Sequence, residues 1–285
     1  MSRFITCGLT ILLAFAPVAL AVDGTVLINQ STITNGLPNC PTGGHFPVVI
    51  CQAGSYRLSG NLTVDENTDA IHITADNVTL DLNGYAVLGP ATCVQIFPVT
   101  CSTTGTGVGI LSNNNSISVS NGAISGMGFA GVRILGSGTR LDGLRVANNA
   151  GVCPSCSIGG DPGGIIIDQD GIISNCTVTS NASDGIDAFG GGTLHLNAVS
   201  WNGGFGIFGG AVDSNNSVDF NGQDGITNAV LAVNNSIVAN RGFGFSCPSG
   251  SANCGFEGNM FFLNHLGAVK NGTSMGHNSS GGVVF

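Results

Sequence analysis

From Asn175 onward, apolar residues alternate with polar ones in short runs, each cut by asparagine, glycine or serine. A local period of two in such short pieces predicts strands rather than helices. The runs also repeat. Asn197 to Ile207 is NAVSWNGGFGI, Asn216 to Ile226 is NSVDFNGQDGI, Asn235 to Phe245 is NSIVANRGFGF, and Asn259 to Ala268 is NMFFLNHLGA. One asparagine column falls at 181, 202, 221, 240 and 264, in steps of 21, 19, 19 and 24. A glycine column falls at 185, 206, 225, 244 and 267, in steps of 21, 19, 19 and 23. Val178, Val199, Val218, Ile237 and Phe261 precede the asparagines, and Ile186, Ile207, Ile226, Phe245 and Ala268 follow the glycines. These two apolar columns are predicted to face inward. The next residues, Asp187, Phe208, Thr227, Ser246 and Val269, are predicted to face outward.

A lap of about nineteen residues with three short strands is one coil of a parallel β-solenoid, in which equivalent residues stack about 4.8 Å apart. Stacked asparagine amides would hydrogen-bond along their column, and glycine is expected to supply the turn conformation. Other repeats fit worse. The chain has no leucine comb, no recurring Gly-Gly-x-Gly-x-Asp, no period of six and no outward Thr-x-Thr columns. Earlier laps are legible at Gly131-Val132-Arg133 and Gly164-Ile165-Ile166. Ala70 to Gly89 forms an opening coil, with Ile71, Ile73, Val78, Leu80 and Leu82 inward. The segment GSYRLSGNLTV before it is expected to cap the first coil, because an open strand edge invites aggregation.

The N-terminus changes the picture of where this solenoid works. Arg3 precedes an apolar run through Leu12, Leu13 and Phe15 that closes on Ala19-Leu20-Ala21, the pattern of a cleaved secretory leader. Residues 1–21 are therefore expected to leave, giving a secreted, periplasmic or envelope protein. The expected organisation is an N-terminal segment and cap over 22–69 and the β-helix over 70–285. No later apolar run is long enough for membrane insertion. Only 8% of residues are charged and the net charge is −9, or −10 once Arg3 is lost. Such a chain lacks the basic footprint for nucleic acid and repels polyanions, so a neutral glycan is the easier partner. In an exported chain the cysteines read as disulfides. Cys40 with Cys51, Cys93 with Cys101, Cys153 with Cys156, and Cys247 with Cys254 are the close pairs. Cys176, in phase with inward Val178, is expected to be a buried thiol. No metal site and no cofactor are indicated.

The laps of form N-x-φ-x-x-N-x-x-x-G-φ, where φ is apolar, and the phrase DNVTLDLNGYAV, Asp76 to Val87, resemble the right-handed parallel β-helix proteins of the pectate-lyase-like superfamily. The resemblance covers roughly Gly54 to Phe285. It implies an all-β fold, a right-handed parallel β-helix of about ten short coils with an N-terminal cap. It leaves activity open, since one solenoid hosts lyases, hydrolases, epimerases and adhesins. Asn181-Ala-Ser-Asp184-Gly185-Ile186-Asp187 is similar to the polygalacturonase motif Asn-Thr-Asp-Gly-x-Asp. The paired acids, Gly-His-Gly and Arg-x-Lys of that family have no counterpart here.

Asp184, Asp187 and Asp224 are the candidate catalytic acids. Asp184 and Asp224 both precede a corner glycine two laps apart, which places their backbones about 9 to 10 Å apart. Inverting glycosidases hold their carboxyls at about 6.5 to 9.5 Å. The competing reading is turn chemistry, for which Asp before Gly is ordinary. His195 and Asp213 are expected to point outward on neighbouring laps as an acid–base or substrate-binding pair, or else as a solvated cross-strand pair. Phe208 is the candidate sugar-stacking aromatic. Trp201, in a column with Phe220 and Leu263, is expected in the core. The leading function is binding or remodelling of an extracellular polysaccharide on the lateral face, by hydrolysis or lysis if the protein is an enzyme. The alternative is a non-catalytic structural or adhesive solenoid of the cell envelope.

Overall fold

The computed structural model describes residues 24–40, 44–96, 99–102, 105–151, 163–249 and 254–285. The short strands stack in parallel into three faces of a solenoid. The first face is a ten-stranded parallel sheet running from Val48–Ile50 to Gly267–Lys270. The second and third faces merge into one twenty-stranded sheet, because Ile117–Ser125 and Thr139–Ala147 each bend from one face onto the other. In the later coils the three faces are separate. Asp184–Ala188, Thr193–His195 and Ala198–Ser200 make one such coil.

The predicted inward columns are the core. Ile165, Ile186, Ile207, Ile226 and Phe245 are successive partners on the first face. Val146, Val178, Val199, Val218, Ile237 and Phe261 are successive partners on the third. All are essentially inaccessible to solvent. Each such side chain contributes about 1.5–3 kcal/mol relative to exposure.

Two asparagine ladders close the corners. In the ladder between the third and first faces, Asn149, Asn181, Asn202, Asn221, Asn240 and Asn264 stack. Asn202, for example, donates its backbone N–H and its Nδ2 to Asn221 Oδ1, at 3.1 and 3.0 Å, and Nδ2 also reaches the Val178 carbonyl at 3.1 Å. The ladder between the second and third faces runs Asn197, Asn216, Asn235, Asn259 and Asn278. Cys176 stands at its head. Its N–H donates to Asn197 Oδ1, its thiol reaches the Ser174 carbonyl, and burial pushes its pKa up to about 11.

The corner glycines act differently from the expectation. Gly185, Gly206, Gly225 and Gly244 do not lie at positive φ. A Cβ on Gly225 would meet Ile237 Cγ2 at 2.4 Å, the Gly244 carbonyl at 2.7 Å and Asn240 Nδ2 at 2.8 Å, all in the next coil. Glycine is needed for close approach of coils, not for its dihedral freedom. The left-handed positions are instead Ser180, Trp201, Phe220, Ala239 and Leu263, each just before a ladder asparagine. In the last coil this corrects the register. Gly267 pairs with Phe243 and Val269 with Phe245, so Ala268 takes the corner position after Gly244 and Val269 turns inward. No further described coil follows Ala268, so its Cβ has room. Lys270, not Val269, continues the outward column.

The N-terminal end begins earlier than expected. Gly54–Leu58 is a strand paired with both Thr25–Ile28 and Val78–Asp81, so this segment belongs to a coil rather than a cap. Covering that coil are Thr25–Ile28 and the short helix Thr32–Asn35, with Ile33, Leu37 and Phe46 against the core. Disulfides join Cys40 to Cys51, Cys93 to Cys101 and Cys247 to Cys254, and Cys176 is free and buried. The Cys153–Cys156 pair and the leader over 1–21 lie outside the described residues.

Candidate functional site

Asp184 and Asp224 occupy equivalent corners, as the repeat predicts, with Phe205 between them. Their carboxylates bind backbone of the next coil. Asp184 Oδ1 accepts the Phe205 N–H and Asp224 Oδ1 accepts the Phe243 N–H, each at 2.7 Å. The carboxylates lie where a Cβ on Gly204 or Gly242 would be, at 2.0 and 1.9 Å. Corner aspartate and following-lap glycine therefore come as a pair. Where the corner residue is Phe205, the same place in the next lap holds Gln223. Ser246 links Asp224 outward, its hydroxyl lying 2.5 Å from Asp224 Oδ2 and 2.7 Å from Thr227 Oγ1. Both acids thus have a place in the corner architecture.

Asp187 faces outward on the first face, in register with Ile166 and Phe208, and is buried. Phe208 lies 5.1 Å from Phe189 and 5.8 Å from Phe205, ring centroid to centroid. Phe189 is 48% exposed. Asp184, Asp187 and three phenyl rings are thereby gathered on adjacent coils. Phe189 was invisible in the repeat because it follows the strand, where the columns lose phase. Farther along, Lys270 Nζ sits 5.8 Å over the Phe243 ring.

The expected pairing of His195 with Asp213 does not form. Asp213 is in register with Leu194 and Ala232, an inward column, and has no solvent exposure. Neither of its carboxyl oxygens has a hydrogen-bond partner. Burial pushes its pKa well above the ordinary value. The error is one of phase: Gly209 and Gly210, both at positive φ, reset the alternation before Val212–Ser214. His195 is outward, in register with Ser174, whose hydroxyl donates to Asp142 Oδ1 at 2.6 Å. That bond, with one from Asn175, holds the Asp142 carboxyl below its usual range.

Trp201 is also not core. At φ 56° it projects at the corner between the third and first faces and stacks on Phe220, centroids 5.0 Å apart and planes within 9°. Phe220 is 41% exposed and Leu263, in the same column, 71%.

Two open grooves, of about 480 and 420 Å³, contain none of the candidate acids. One is lined by Arg140, Asp170, Ile172 and Thr193, the other by His45, Phe46 and Asp65 near the cap. Among the described residues no group of three or more His, Cys, Asp or Glu is placed to hold a metal ion, and no helix is long and apolar enough to cross a membrane.

No family model matches the sequence, and no curated protein matches it. Solved structures do. The chain is similar to the pectate lyase Pel9A, with a TM-score of 0.57 at 15% identity, covering 88% of this chain and 68% of that one. Weaker similarities are to the Dettilon tailspike protein gp208, TM-score 0.47 and 14% identity over 81% of this chain, and the periplasmic alginate epimerase AlgG, TM-score 0.42 and 12% identity over 86%. The chain spans 60% of the tailspike chain and 72% of the epimerase. The likeness to Pel9A is one of fold, a parallel β-helix.

Proposed function

We propose that this chain is an exported glycan-binding solenoid whose first face engages a polysaccharide. The observation that carries this reading is the cluster of Phe189, Phe205 and Phe208 beside outward Asp187. Phenyl rings offer apolar faces for sugar C–H groups. The few cations and the net charge of −9 favour a neutral glycan. Binding is favoured over hydrolysis because Asp184 and Asp224 each spend an oxygen on a backbone amide of the next coil. General acid and base must also be held at separate pKa values, which calls for a cleft around them. The disulfides and the apolar leader support an extracytoplasmic location.

The test is a screen of the mature protein against neutral and uronic-acid polysaccharides, reading retention together with release of reducing or unsaturated ends. Retention weakened at least tenfold by Phe208→Ala, without loss of thermal stability, is the expected result. Release of ends abolished by both Asp184→Asn and Asp224→Asn at an unchanged melting temperature would replace binding by hydrolysis. No retention of any glycan would leave the structural or adhesive solenoid as the better reading.

A further inference from the structure

The two corners that carry left-handed residues are built from different chemistry. Between the second and third faces the residues before the ladder positions are Asn175, Leu196, Asn215, Asn234, Gly258 and His277, so three of these six are asparagine and one is glycine. Asparagine accepts the left-handed region readily, whereas a bulky side chain there is a true outlier. Between the third and first faces the same conformation is imposed on Trp201, Phe220 and Leu263, at φ 56°, 53° and 54°. The fold can evidently place asparagine at such a corner. Keeping rings there, strained and largely outside the core, sacrifices stability, and strain of this kind collects at functional positions.

The column also has a definite shape. Ser180, the small residue before Trp201, is already covered by the chain itself, because Gln95 of the Cys93–Cys101 hairpin bonds its hydroxyl. Ala239, the small residue after Phe220, separates that ring from Leu263 by two coil spacings, about 9 to 10 Å. That leaves a notch about one ring thick, floored by Ala239. Beside the column runs the outward row Thr179, Ser200 and Asp219. Ser200 approaches the Thr179 hydroxyl at 3.4 Å. Asp219 receives the Ser217 hydroxyl on Oδ2, and the Val238 backbone also hydrogen-bonds its carboxyl.

We infer that this corner is a second glycan-binding site, in which a neutral pyranose packs against the Phe220 ring over Ala239 with its hydroxyl edge toward Asp219. A sugar unites the two features the surface presents, an apolar ring face and a hydroxyl-bearing edge. A purely apolar partner would desolvate Asp219 and Ser200 without satisfying them. An anionic sugar would set a second carboxylate beside Asp219 in a chain of net charge −9. The site shares its ligand class with the first-face reading but none of its residues.

Trp201 is the only tryptophan of the chain and reports on the site directly. Its emission is followed while the mature protein is titrated with gluco-, xylo- and manno-oligosaccharides, with oligogalacturonate as the charged control. Calorimetry repeats each titration. A saturable change with a neutral oligosaccharide is expected, with affinity reduced at least tenfold in Phe220→Asn and in Trp201→Asn. Both variants should melt at or above the wild-type temperature, because asparagine relieves the strained dihedral. Phe208→Ala should leave the tryptophan response intact. Binding abolished by Phe208→Ala yet unaffected by Phe220→Asn would overturn the corner site and keep the first face. Absence of any tryptophan response, a preference for oligogalacturonate, or a lowered melting temperature in both asparagine variants would each overturn it too, the last by showing that the rings serve packing alone.

Discussion

Asp213→Val tests the least expected feature of the core. The carboxyl lies inside the solenoid with Leu194 and Ala232 as its lateral neighbours in the column, and a Cβ on Gly210 would meet its Oδ1 at 2.2 Å. Burial is its only resolved perturbation and no charged group offsets it, so the acid is protonated in the fold well above its ordinary pKa of 3.8. The sign follows from linkage. The unfolded chain releases this proton near pH 4 and the folded chain keeps it. Wild-type stability is therefore full below pH 4 and falls by about 1.4 kcal/mol per pH unit above it, until the folded pKa is reached. At pH 4 the variant is spared only the unsatisfied neutral carboxyl, a gain of about 2 kcal/mol. For a chain of this size that corresponds to about 4–8 °C in melting temperature, and the gap should widen as pH rises. Asp69 and Asp219 are also shifted upward by burial. The difference between the wild-type and variant curves, measured calorimetrically from pH 4 to 7, isolates Asp213. Asp213→Asn, which keeps a polar group but cannot titrate, should remove the slope with little gain at pH 4. Parallel curves for wild type and Asp213→Val across this range would refute the buried-acid argument.

Three further outcomes follow from the stacking. Gly225→Ala should cost about 1–3 kcal/mol by overpacking against Ile237 and the Asn240 amide, seen as a lowered denaturation midpoint; an unchanged midpoint would mean that adjacent coils can separate freely. Asn221→Ala breaks the ladder in its middle, leaves the N–H and Nδ2 groups of Asn202 without their acceptor, and should cost about 2–4 kcal/mol, whereas the exposed Asn113→Ala should cost less than 1 kcal/mol in the same melts. Cys176, with its pKa pushed up to about 11 by burial, should resist iodoacetamide at pH 8 in the native protein and react stoichiometrically in denaturant, as read by mass spectrometry; rapid native labelling would contradict its place at the head of the ladder.

The repeat determined much of this protein before any coordinate was known. Stacked equivalents share one environment, so the inward isoleucines, the asparagine column at 181 to 264, the glycine corners and three local disulfides could be taken directly from the spacing. Phase within a coil was not legible in the same way. Period-two alternation assigns inside and outside only along an unbroken strand, and each corner resets it. Two left-handed glycines turned Asp213 into the core, and one left-handed residue turned Trp201 out of it. Glycine's role at the corner was likewise decided by the next coil, since a vacancy for a Cβ depends on atoms about twenty residues away in the chain. The sequence could name the acids and the rings, but which of them share a surface depends on how many residues each corner consumes. That number is set by packing between coils, and only the tertiary structure displays it.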